Sequence, residues 1–377
     1  MNSRAPRPAK VLIDVRFLAG RATGVGRYLM SLLTQISAIA PPGLEPYALC
    51  LPGQTVSRQI SQHVLKGVGA RAKPLGPIQQ IVLPLAIRNT ECDLFHYTYI
   101  DPPRGLPPFV ATCYDIEPLR HPELFRRKIV WYYRVFAPGL RAAERVIVIS
   151  QNTARDVVEL LGIDPNRVKV IYLGVDPHFR PVRDAARMDG IRSRYNLPTR
   201  YVLYLGNTMP HKNLVRLVNA MTVVHQRFPT VPLLLAGRKD KYRPVVEQAI
   251  AAASGPQSIR FLGEIAEDDL PALLSGAAVF AYPSLYEGFG LPVLEAMACG
   301  TPVVTSSRSS LPEIVGDSAV IVDPYDVSSL ANAILRLLEN PEEAARFSEL
   351  GQIRAKGFTW RRCAQQHLDV YREVLNH

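Results

Sequence analysis

The sequence predicts an α/β protein of two doubly wound domains, each a parallel sheet covered by helices on both faces. Its 377 residues exceed what one core comfortably holds at ~100–200 residues per domain. Short apolar, β-rich runs alternate with helix-length segments along the whole chain, the pattern of βαβ units with buried strands. The alternation also stops once and starts again, which makes two series.

The first series is "KVLIDV" (10–15), "YALCLP" (47–52), "DLFHYTY" (93–99), "FVATCYD" (109–115), "RVIVIS" (145–150) and "VKVIYLG" (168–174). Prolines and charges interrupt it over 172–200, the best domain boundary. The second series is "YVLYLG" (201–206), "VPLLLAG" (231–237), "IRFLG" (259–263), "AVFAYPS" (278–284), "TPVVTS" (301–306) and "AVIVDP" (319–324). The domains are therefore 1–175 and 176–358. Residues 359–377 place Ala364, Leu368, Tyr371 and Leu375 at helical spacing, as a packed terminal helix requires.

A hydrophobic fraction of 47% and a charged fraction of 20% exclude a disordered chain; only residues 1–10 read as a loose arm. No apolar run approaches the ~18 residues of a spanning helix, so the cytoplasm is the expected compartment. The five cysteines are scattered without a C-x-x-C pair, which argues against a disulfide framework or a zinc site. Residues 1–175 carry 22 Lys and Arg against 12 Asp and Glu, whereas 176–377 carry 22 against 21. The excess charge in the first half points to a nucleic acid, an anionic membrane surface or a phosphate-bearing ligand.

Ligands of parallel sheets bind at the carboxyl ends of strands, so the following loops hold the candidates. "YPSLYEGFGLPVLEAMACG" (282–300) follows a strand and enters a helix near Leu291, with Pro292 suited to the first turn. Gly288 and Gly290 let the backbone bend, and the amides of the helix start suit an anion such as pyrophosphate. Glu287 lies in the loop and Glu295 about one turn into the helix; such carboxylates suit sugar or ribose hydroxyls. The competing reading is a solvated loop charge and a dipole partner.

In "GNTMPHKNL" (206–214), Lys212 stands at the head of a helix expected from about Asn213, a diphosphate clamp if it is more than a surface lysine. "GVGRY" (24–28) is too short for a dinucleotide fingerprint. Its Gly24, Val25 and Gly26 either approach a ligand or form a turn capping a helix from about Arg27. In "TCYDIEPLRHPELF" (112–125), Asp115 follows a strand, with Tyr114 and His121 expected near it; a helix-capping aspartate is the alternative. "FRRKIVWYYRVFAPGLRAAER" (125–145) interleaves basic residues with Trp131, Tyr132, Tyr133 and Phe136, which suits an anionic headgroup layer if the aromatics do not face the core.

With "GVGRY", "PHKN" and "EGFGLPVLEAMACGTPVV" in this order, the chain resembles the family 4 glycosyltransferases over nearly its whole length. The resemblance implies the GT-B fold, two Rossmann-like domains facing across a cleft with the C-terminal helix packed back on the N-terminal domain. It implies an acceptor-binding role for 1–175 and a nucleotide-sugar-binding role for 176–358. The implied reaction is a metal-independent, cofactor-free, retaining transfer from a nucleotide diphosphate sugar to an acceptor alcohol. Carried over by position, Glu287 holds donor-sugar hydroxyls, Glu295 the ribose and Lys212 the leaving diphosphate. The backbone of Gly288, Phe289, Gly290 and Leu291 cradles sugar and phosphate oxygens, with Asp115 a further catalytic candidate. Gly206, Asn207, His211 and Arg238 join the donor set, and Gly24, Val25, Gly26 and Tyr114 the acceptor or phosphate loop.

Two departures stand out. Asn207 and His211 occupy places where many members carry a basic residue, leaving Arg238 to supply a second charge or contact the base. Tyr114-Asp115 stands where many have His-Asp. The variants look most like bacterial enzymes of O-antigen and exopolysaccharide synthesis, mannosyl- or rhamnosyltransferases using GDP-sugars. Their lipid-linked acceptors at the inner leaflet match the basic first half and imply peripheral membrane contact. The alternatives are a sugar-nucleotide epimerase of the same fold, a non-catalytic sugar-nucleotide sensor, and a nucleic-acid binder, for which no reading module is present.

Overall fold

The computed structural model describes residues 7–18, 24–51, 64–65, 75–76, 78–253 and 258–376. Residues 1–6 of the expected arm, and 19–23 before "GVGRY", lie outside the described residues. The chain divides into unit 1, Met1–Gly174 with Thr359–His377, and unit 2, Val175–Phe358. The boundary thus falls one residue before the expected seam and leaves Val175 in unit 2. The Val175 amide donates to the Phe358 carbonyl at 3.0 Å, while a β-carbon on Gly174 would lie 2.2 Å from the Trp360 nitrogen. The two passes of the chain are therefore pinned side by side where the units divide.

Unit 1 has a seven-stranded sheet ordered β3-β2-β1-β4-β5-β6-β7. Its strands are β1 (Ala9–Asp14), β2 (Leu44–Leu49), β3 (Val64–Leu65), β4 (Leu94–Tyr97), β5 (Phe109–Cys113), β6 (Arg145–Val148) and β7 (Val168–Val170). Unit 2 has a six-stranded sheet, β10-β9-β8-β11-β12-β13, built from β8 (Val202–Leu205), β9 (Leu233–Ala236), β10 (Ile259–Gly263), β11 (Val279–Tyr282), β12 (Val303–Ser306) and β13 (Val320–Val322). All the strand pairs are parallel. Every residue of β4, β5, β9, β11 and β12 is buried, which is why these runs are apolar without alternation.

Three local expectations shift. The helix after β1 spans Gly24–Ile39, so "GVG" is its first turn rather than a cap before it. The basic, aromatic helix spans only Arg127–Phe136, because Pro138 and Gly139 turn the chain into a 3-10 segment, Ala137–Ala142. Lys212 ends a 3-10 turn, Pro210–Lys212, and the helix proper is Leu214–Arg227.

The terminal helix, Trp360–Leu375, opens on Thr359, whose side chain accepts from the Arg362 amide. Ala364, Leu368 and Tyr371 are buried, each large side chain contributing about 2 kcal/mol. Polar contacts fix its register on unit 1. The Tyr28 hydroxyl is 2.8 Å from His367 Nε2, His96 Nδ1 is 2.7 Å from the Tyr371 hydroxyl, and His96 Nε2 is 2.7 Å from Thr112 Oγ1. Burial lowers both histidines: His96 falls well below its ordinary value and His367 falls to about 4, so both are neutral.

Candidate active site

In a parallel sheet, a crevice opens at the carboxyl edge where the strand order reverses. In unit 2 the reversal lies between β8 and β11; the loop after β8 carries Lys212 and the loop after β11 carries Glu287. The Lys212 ammonium donates to Glu287 Oε1 at 2.6 Å and to the Tyr282 hydroxyl at 3.2 Å. Both partners of the ion pair are 11% exposed, so neither is the solvated surface charge of the bland reading. Burial works to raise the Glu287 carboxyl, but Lys212, aided by His211 and by hydrogen bonds, outweighs it and holds the group below the usual glutamate range. Burial, then the nearby Glu287, pushes the Tyr282 phenol well above its ordinary value, so it stays neutral.

Both loops are braced. The Leu285 amide donates to the His211 carbonyl at 2.7 Å. Asn213, in the left-handed region at φ 61°, donates from Nδ2 to the carbonyls of Pro283 at 3.1 Å and Pro324 at 2.7 Å. Asp240 accepts from the Thr208 amide and hydroxyl, both at 2.6 Å. The loop after β12 grips Glu287 itself: its amide donates to Ser309 Oγ at 2.7 Å, and its carbonyl accepts from Ser309 Oγ at 2.6 Å and Ser310 Oγ at 3.0 Å. Ser310 Oγ also donates to the Phe289 carbonyl at 2.8 Å.

Gly290 caps the helix Leu291–Ala298 at φ 106°, a conformation glycine adopts readily. Pro292 occupies its first turn, and Glu295 is buried in it. The amides of Gly290 and Leu291 have no acceptor within the helix, whereas those of Val293 and Leu294 bond to the Gly290 carbonyl. At the ends of β8 and β9 the backbones nearly touch, and a β-carbon on Gly237 would lie 1.9 Å from the Gly206 carbonyl oxygen.

The other candidates are placed as follows. Asn207 is exposed and braces its own loop, accepting from the Met209 amide at 3.2 Å. Arg238 borders a hollow with Gly206, Thr208 and Gly237 and pairs at the surface with Glu264 at 2.9 Å. In unit 1, Gly24, Val25 and Gly26 begin the helix that presents Tyr28, whose ring meets Tyr114 edge-on at 5.2 Å. Tyr114 is buried. Asp115 is half-buried and accepts from the Glu117 amide at 3.2 Å. His121 turns to Glu123 at 3.2 Å. The sequence reading missed Tyr282, Asp240, Ser309 and Ser310.

Residues 22–179 match the family Glycosyltransferase Family 4, and residues 191–354 match Glycosyl transferases group 1. The chain is 31% identical to an O-antigen chain mannosyltransferase B of Escherichia coli, over 76% of this chain and 76% of that protein. It is 28% identical to the serotype-specific mannosyltransferase WbdA of Escherichia coli over 71% of this chain, a match spanning 33% of that longer relative. In fold it is similar to the sucrose-phosphate synthase of Thermosynechococcus elongatus, at TM-score 0.78 and 23% identity over 98% of this chain and 100% of that one. The fold is thus the two-sheet GT-B architecture, and this chain belongs to the family 4, or group 1, glycosyltransferases and is a glycosyltransferase enzyme.

Proposed function

We propose that the chain transfers mannose or a related hexose from a GDP-sugar to a lipid-linked or oligosaccharide acceptor in bacterial surface polysaccharide synthesis. The mannosyltransferase names of its relatives support the sugar; the reaction rests on the buried Lys212–Glu287 pair. The two charges satisfy each other across 2.6 Å. The donor diphosphate competes for the ammonium, and Glu287 then turns its oxygens to the sugar hydroxyls. Lys212 and the amides at Gly290 and Leu291 stabilise charge on the leaving diphosphate as the bond from sugar C1 to phosphate oxygen breaks. The acceptor oxygen bonds C1 on the same face, and its proton passes to the leaving phosphate oxygen. Glu295 holds the ribose. No dedicated base and no metal enter this scheme.

The test is a panel of GDP-, UDP- and dTDP-sugars scored for binding and slow hydrolysis. GDP-mannose binding most tightly and turning over supports the reading; a donor that epimerises without hydrolysis or transfer contradicts it.

A further inference from the structure

Two strands of unit 2 carry an aromatic stack beside the Lys212–Glu287 pair. Phe280 and Tyr282 stand two residues apart on β11, hence on one face, with ring centroids 5.8 Å apart and planes at 14°. Tyr204 of the neighbouring β8 meets Tyr282 at 5.6 Å, again at 14°. All three rings are buried. The Tyr204 hydroxyl donates to the Asn207 carbonyl at 2.7 Å, and Thr305 Oγ1 donates to the Tyr282 carbonyl at 3.0 Å. Ring and main chain together make the Tyr282 phenol a fixed point.

Packing alone does not ask for that phenol. Phe280 fills its place in the same stack without a hydroxyl, and a buried hydroxyl costs desolvation unless it is bonded. The Tyr282 oxygen lies 3.2 Å from the Lys212 ammonium, whose charge is 5.5 Å from the ring centroid. An ammonium only donates, so the Tyr282 oxygen accepts and has its own proton to give. Glu287, which takes the same ammonium at 2.6 Å, is hydrogen-bonded to the phenol. Lys212, a point charge on a flexible stem, is thus held by a carboxylate and by a ring that cannot follow it.

We propose that Tyr282 is a positioning residue for the transfer, its hydroxyl holding the Lys212 ammonium in place as the bond to Glu287 gives way to the donor diphosphate. This role rests on the transfer scheme proposed for Lys212 and Glu287. With the diphosphate bound, the Tyr282 oxygen still accepts from Lys212, and its proton serves the carboxylate that the ammonium has left. Lys212 then meets the leaving phosphate oxygens from a set position, which favours the transition state over the bound donor.

The test is slow hydrolysis of GDP-mannose by the parent, Tyr282→Phe, Lys212→Ala and the double variant, with circular dichroism to confirm the fold. Tyr282→Phe keeps the stacked ring and should lower kcat about tenfold, while the donor KM moves less than about threefold. In the Lys212→Ala background the same substitution should change kcat less than about twofold, because no ammonium remains to be held. Tyr201→Phe is the control. Tyr201 is equally buried and donates to the Leu273 carbonyl at 2.7 Å, so losing its hydroxyl should leave kcat and KM at the parent's values. Parent-like kcat in Tyr282→Phe, an undiminished loss in the absence of Lys212, or an equal loss in Tyr201→Phe would each overturn the proposal. Lys212→Ala as active as the parent, or a parent inert towards GDP-mannose, sinks the transfer scheme instead. The hold of Tyr282 on Lys212 is then read from a urea double-mutant cycle of the same variants, where a coupled loss supports it and additive losses overturn it.

Discussion

The Lys212 ammonium and the Glu287 carboxylate lie 2.6 Å apart although 75 residues separate them in the chain. The order of the unit 2 sheet brings them together, because β8 and β11 are neighbours at its reversal point. Removing one partner leaves a charge in a pocket that excludes most water. Lys212→Ala or Glu287→Ala is therefore expected to cost about 3 kcal/mol of unit 2 stability, and the double variant less than the sum. A urea double-mutant cycle measures this, and additive losses would count against the pair.

Ser309 supports Glu287 through its main chain, accepting from the Glu287 amide and donating to the Glu287 carbonyl. Ser309→Ala should lower the transfer rate about tenfold, because a carboxylate displaced by a fraction of an ångström loses its alignment. Donor affinity and the urea midpoint should move much less. A variant with the parent's kcat would show that the loop after β12 is dispensable for positioning.

Legibility followed locality. "EGFGLPVLE" exposed its helix start because Gly290 and Pro292 act within one turn, and Lys212 was legible because it follows a strand end. Asp240, Ser309 and Ser310 were not, since each reaches its partner across 22 or more residues. Contact between His96 and Tyr371 spans 275 residues, far beyond any periodicity. The two-residue strand β3 is too short to leave a pattern. "GVG" reads either as a ligand loop or as a capping turn, whereas the helix starts at Gly24 and buries Gly26.

His96 and His367 give the docking of the terminal helix a pH dependence. His367 titrates near 4 in the folded chain because it is buried, against ~6.5 when unfolded. The unfolded state therefore binds the proton more readily. Stability is full above about pH 6.5 and falls between there and pH 4. At pH 5 the loss from His367 alone is about 2 kcal/mol. Amide exchange along 360–375 should accelerate from pH 7 to 5 beyond the intrinsic chemical rate, whereas an unchanged protection factor would mean that the histidine is not buried in solution.

Glycine substitutions separate close approach from mere flexibility. Gly237→Ala puts a methyl group 1.9 Å from the Gly206 carbonyl oxygen at φ 139° and should cost more than about 2 kcal/mol. Gly24→Ala meets nothing within 4 Å and lies in a helix, so it should be neutral or stabilising by about 0.5 kcal/mol. Thermal melts of the two variants check the order; equal losses would contradict the reported backbone contact.

The proposed scheme draws its positive charge from Lys212 and backbone amides. Transfer should accordingly persist in excess EDTA at the parent's rate. A strict requirement for added Mg²⁺ would mean that another cation carries the diphosphate.

The most direct measurement is steady-state transfer or slow hydrolysis of GDP-mannose by the purified parent, Lys212→Ala and Glu287→Gln. Each substitution is predicted to lower kcat by about a hundredfold or more, with circular dichroism unchanged. Parent-like turnover in either folded variant would contradict the account, because the buried pair would then be structural and the chemistry would lie elsewhere.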